Sequence, residues 1–113
     1  MRNTINHSAT EALRKLNDNS LEDLLNHFMG TTPNHLHKML EAYYLKDFST
    51  LRKEAHVVHL LAASIGAEIL AEITSEIEFV KTGPTLDSFL HEKVIHAHKE
   101  FEKIKLELKT IQN

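Results

Sequence analysis

One histidine stands out for the company it keeps. His56 lies in the stretch AHVVHLLAASIGAEIL (55–70), with Arg52 and Lys53 about one turn before it, and Gly66 follows ten residues later. A neutral imidazole is both a nucleophile and a proton carrier near physiological pH. Arg and Lys beside it suit an anion, because they donate charge-assisted hydrogen bonds to phosphate oxygens. The residue types therefore point to phosphoryl or anion chemistry at His56, with Arg52 and Lys53 as the cations.

That chemistry requires the imidazole to face outward. Residues of a helix advance by about 100° each, which places Leu51, Ala55, Val58, Ala62 and Ile65 on one side, widened by Val57 and Leu61. His56 falls opposite the centre of that stripe, in company with Arg52, Lys53, His59, Leu60 and Ala63. A solvated surface residue is the ordinary fate of a lone histidine. Leu60, a large apolar side chain on the same outer face, reads with Ala63 as part of a docking surface.

Competing chemistries are weaker. The chain has nine histidines, and imidazole is a common zinc ligand, so a histidine-rich metal-binding bundle is one alternative. His7 and His27 stand apart from the paired ones. Within a helix, His35 and His37, like His96 and His98, point about 200° apart and cannot chelate together. His91 and Glu92 could reach only toward other helices, and His56 and His59, at i and i+3, show no carboxylate on their own helix face, so no metal ligand set is expected. There is no nucleophile elbow for a Ser-His-Asp hydrolase and no glycine-rich phosphate loop.

The elements that must position His56 are all helical. Residues 1–7 are expected to be flexible. Ser8 and Glu11 form a capping-box pattern for a short helix to about Leu16, ended by Asn17-Asp18-Asn19. Ser20 then caps a helix to about 46 carrying Leu24, Leu25, Phe28, Leu36, Met39, Leu40 and Tyr43. At Gly30–Pro33 the pattern predicts either a kink, the preferred reading because the apolar spacing resumes promptly, or a break into two helices. Asp47 or Ser49 caps the His56 helix, and Gly66 suits its C-terminal join. A further helix uses Ile69, Leu70, Ile73, Ile77 and Val80 and stops at Gly83-Pro84. The last, from about Thr85 to Ile111, repeats Leu90, Val94, Ala97, Phe101, Ile104 and Leu108 in the alternating steps of a bundle seam. Its charged run Lys99–Lys109 reads as a solvated face. No stretch alternates with the period of a strand. The expected architecture is an all-α, antiparallel four-helix bundle with a short additional amino-terminal helix, spanning 1–113 as one domain.

Composition agrees with this. A chain of 113 residues with 42% hydrophobic and 26% charged residues suits a single globular core. A net charge of −3 without a basic run disfavours nucleic-acid binding. The absence of cysteine excludes disulfides and thiolate chemistry. The amino end lacks the apolar core of a signal peptide, and no run is long enough to insert in a membrane, so a cytoplasmic location is expected.

Together these residues resemble the histidine-containing phosphotransfer (HPt) domains of two-component multistep phosphorelays, over roughly residues 8–110. Ala55-His56, Gly66-Ala67 and Leu70 fall in that family's register, as does the upstream pattern of Leu24, Leu25, Phe28, Leu36, Leu40 and Asp47. The resemblance implies a bundle in which His56 is the phosphoacceptor, relaying a phosphoryl group between aspartates of response-regulator receiver domains downstream of a hybrid sensor histidine kinase. No cofactor is implied in this chain, since the magnesium ion belongs to the receiver. Where the family has lysine and glycine, at the third and fourth positions after the histidine, this chain has His59 and Leu60. The resemblance thus makes His59 a phosphate-stabilising candidate beside Arg52 and Lys53, and places Leu60 where the family leaves room for the receiver. A non-catalytic docking module, binding a receiver or kinase without transfer, is the main alternative.

Overall fold

The computed structural model describes the backbone of residues 18–112 and the side chains of residues 22–110. It consists of four helices: α1 (Asp18–Tyr44), α2 (Phe48–Ser64), α3 (Glu68–Glu78) and α4 (Leu86–Gln112). No strand occurs among the described residues. Connections of three, three and seven residues are too short for anything but reversal, so successive helices run antiparallel. Each packs on its two neighbours around a closed ring, α1 on α2, α2 on α3, α3 on α4 and α4 back on α1. The long axis of 47 Å is set by the two 27-residue helices α1 and α4, each about 40 Å long at 1.5 Å per residue. The expected bundle is therefore present. The flexible 1–7 stretch, the short helix from Ser8 and the Ser20 side chain lie outside the described residues.

The apolar stripes meet in the middle as their spacing dictates. Leu51, Ala55, Val58, Ala62 and Ile65 of the α2 stripe are fully buried, and so are Leu90, Val94, Ala97, Phe101, Ile104 and Leu108 of the α4 seam. Phe28 stacks on Phe101 with ring centroids 5.6 Å apart, joining α1 to α4. Glu100 departs from the solvated-face reading of the 99–109 run: it is 2% exposed. It precedes Phe101 and lies between Ala97 and Ile104, on the flank of the seam, where helical geometry carries it inward.

Helix boundaries follow local chemistry. α1 is already helical at Asp18 and Asn19, which corrects the expected break there. It also runs unbroken through Pro33. The proline is on the exposed side, where water can serve the carbonyl that loses its helical donor. Asp47 caps α2 by accepting from the Thr50 amide at 3.1 Å and the Thr50 hydroxyl at 2.7 Å. Those bonds hold its carboxyl below the usual range, and they settle the cap in favour of Asp47 over Ser49. α3 ends at Glu78, short of the expected stop at Gly83-Pro84, and Val80 packs against the core from the connecting segment.

The joins before and after α2 use one device. At the first, the Asp47 amide reaches the Ala42 carbonyl and Lys46 sits at φ 58°; at the second, the Ala67 amide reaches the Ala62 carbonyl and Gly66 sits at φ 75°. Both are Schellman-type closures, which need a left-handed residue. Glycine adopts it freely, whereas for lysine it costs about 1 kcal/mol or more. Lys46 is held there by its ammonium, which donates to Asp87 at the start of α4 and lies 4.4 Å from the Tyr43 ring centroid.

Candidate phosphoryl-transfer site

With its inner stripe clamped in the core, α2 presents His56 to solvent, half exposed. The ring is not alone. Nδ1 lies 2.8 Å from Oε1 of Glu78, the last residue of α3, and that carboxylate is only 19% exposed. A carboxylate at that distance favours a proton on Nδ1, which leaves the lone pair on Nε2. No described residue pairs with Nε2. The arrangement is a half-exposed imidazole with one nitrogen against an acid and the other without a partner among the described residues.

Sequence reasoning placed no carboxylate near this histidine, and the structure corrects it. Glu78 is invisible to a one-helix wheel because it arrives from the next helix. The missing signal is the fold-back at Gly66, about which facing pairs of α2 and the α3 side are nearly symmetric. His59 meets Ala71, His56 meets Glu78 and Arg52 meets Val80. Counting outward from a glycine at a tight helix join finds each of these partners to within two residues.

The other predicted site residues divide into two groups. Lys53, Leu60 and Ala63 are exposed on the outer face with His56, and Leu60 leaves 55% of its surface in solvent. Gly66 is buried at the join, as its structural role requires. Arg52 and His59 are only partly exposed and turn toward the α3 side. Arg52 donates from Nη2 to the Val80 carbonyl at 3.2 Å, while its Nε is buried without a hydrogen-bond partner. His59 donates Nδ1–H to the Ala71 carbonyl at 2.8 Å, an interaction that fixes its tautomer because a carbonyl only accepts. His59 also borders a groove of about 580 Å³ between α2 and α3, shared with Ala63, Gly66, Glu72 and Ser75. It is thus committed to helix packing through one nitrogen, and only Nε2 remains for an anion.

Four of the other described histidines have contacts of their own. His35 pairs with Glu54 between α1 and α2, His37 is 3.7 Å from Glu41, and His91 packs on Tyr43. His98 donates from Nε2 to the Leu36 carbonyl at 3.1 Å, tying α4 to α1. Burial pushes its pKa down, partly offset by that carbonyl. No group of three or more His, Asp or Glu among the described residues is arranged to hold a metal ion. No described helix is long and apolar enough to cross a membrane.

The chain matches no protein-family model, no curated protein and no solved structure.

Proposed function

We propose that this chain is a phosphoryl carrier of the HPt type, relaying the group through His56 between receiver aspartates. One observation carries the reading: a half-exposed His56 whose Nδ1 lies 2.8 Å from the Glu78 carboxylate, with no partner for Nε2 among the described residues. The Nε2 lone pair forms the N–P bond as the acyl O–P bond of an aspartyl phosphate breaks, and the departing carboxylate keeps that electron pair. Nδ1 retains its proton, so the ring becomes an imidazolium beside Glu78. The return step reverses these events on a second receiver. Such transfer demands alignment and charge neutralisation more than covalent machinery, which a rigid helix with one adjacent acid and nearby cations supplies. On this reading the partners are receiver domains and a hybrid sensor histidine kinase in the cytoplasm, and the magnesium ion stays in the receiver.

Exposed Leu60 beside the ring supports a second reading, a docking module that binds receivers and transfers nothing. Incubation with a radiolabelled, phosphorylated receiver domain separates the two. Acid-labile, alkali-stable label on the wild type and none on His56→Gln is the expected result. Stable complex formation without label selects the docking module. Label that persists on His56→Gln removes His56 from the mechanism.

A further inference from the structure

Arg52 is held in a position that does not suit it. A guanidinium offers five donors, yet here Nη2 meets a neutral backbone carbonyl and the buried Nε–H meets nothing. Leaving a buried donor unpaired is unfavourable, so a stronger acceptor within reach would draw the side chain away from Val80. His56 is four residues on, and Cβ atoms at that spacing lie about 5–6 Å apart on a helix surface. Helical side chains lean toward the amino end, which tips a group on the His56 ring back over the turn that holds Arg52.

A phosphoryl group on His56 is such an acceptor. It brings close to two negative charges and three acceptor oxygens, and its hydrogen bonds to a guanidinium are roughly twice as strong as neutral ones. Resting on the carrier reading of His56, we propose that Arg52 has two positions. In the unloaded protein it donates to Val80 and pins the segment between α3 and α4. In the phosphorylated protein it moves to the phosphoryl oxygens and releases that segment. The segment joins α3 to α4 outside both helices, and within it Phe79 already exposes 73% of its area. Loading of His56 is thereby converted into a change of shape at residues 79–85 that a partner protein can sense. Lys53, exposed and one residue along, contributes charge to the same phosphoryl group without touching the segment.

Hydrogen exchange of the full chain, before and after loading with phosphoramidate, tests this without a receiver. Mass spectrometry of intact protein reports the gain of one phosphoryl group, and peptides covering residues 79–86 report the segment. The expected result is a several-fold rise in exchange of that segment on loading of the wild type. Arg52→Met, which keeps most of the apolar stem, should exchange fast when unloaded and gain nothing on loading. Lys103→Met, at an exposed position of α4 away from the site, should behave as the wild type does. Loading with unchanged exchange, or wild-type exchange in unloaded Arg52→Met, overturns the two-position arginine alone. Failure of both phosphoramidate and a phosphorylated receiver to load His56 overturns the carrier reading and this inference with it.

Discussion

Replacing Glu78 by glutamine is the sharpest probe of the site, because it removes a charge while keeping the shape. The imidazolium that the proposed transfer would form lies beside a carboxylate whose oxygen is 2.8 Å from Nδ1, so the two charge centres are about 4 Å apart. At that separation the attraction is about 1 kcal/mol in water and about 4 kcal/mol in a partly shielded protein site. His56 is half exposed and Glu78 largely covered, which places the value toward the lower limit, about 1–2 kcal/mol after solvent screening. Glu78→Gln should therefore slow single-turnover transfer from a phosphorylated receiver by roughly five- to thirtyfold. The amide keeps the size of the group in contact with Nδ1, so the loss is that of the charge. Glu78→Ala removes that contact too and should be slower still. Quench-flow measurement at saturating receiver isolates the chemical step, and the thermal midpoint of both variants should stay close to wild type. If both transfer at the wild-type rate, Glu78 is a bystander and the acid–imidazole argument fails.

Three further predictions follow from the same geometry. Leu60→Ala should admit non-cognate receivers more readily by clearing the outer face, and unchanged rates with every receiver tested would count against Leu60 as a specificity element; Leu60→Gly would extend the effect at about 1 kcal/mol of helix stability. Gly66→Ala must adopt φ near 75°, which costs about 1–2 kcal/mol and should lower the melting midpoint by several degrees in calorimetry. His98 is lowered by burial from its ordinary 6.5, so the unfolded chain binds a proton in a range where the folded chain does not. Stability then rises with pH through the window below 6.5, is complete above it and is lost as pH falls. Urea unfolding at pH 5 and pH 7 should show this difference shrinking in His98→Gln.

Periodicity made the bundle legible. Steps of three and four fix which side of each helix is apolar, and four such sides have few ways to close except around a common core. Pro33 misled less than it could have, because its exposed position left the helix able to continue. Asp18 and Asn19 read as turn residues yet lie in α1, because turn-forming residues also sit well in the first turn of a helix. Within the site, the outward direction of His56 followed from its own helix, as did the exposure of Lys53, Leu60 and Ala63. The inward turn of Arg52 and His59 did not. Both sit at the edge of the stripe, where the choice between solvent and the neighbouring helix is made by what that neighbour presents. Here it presents backbone carbonyls, at Val80 and Ala71, which no side-chain pattern encodes.

The spacing from His56 to Gly66 acquires a physical meaning from these contacts. A tight reversal at a left-handed glycine fixes where α3 starts, and therefore which α3 residue faces each residue of α2. Ten residues back from the join lies the imidazole, and twelve forward lies the acid that holds its inner nitrogen. One residue added to the join would turn α3 by about 100° and carry Glu78 off that face, leaving the bundle free to repack but the histidine without its acid. Lys46 shows that the same closure can be made without glycine when an ion pair fixes it. At the second join no such pair is available to Gly66, which is buried against the core. The glycine there is a register device, and its effect on chemistry runs through the side chain it delivers twelve positions later.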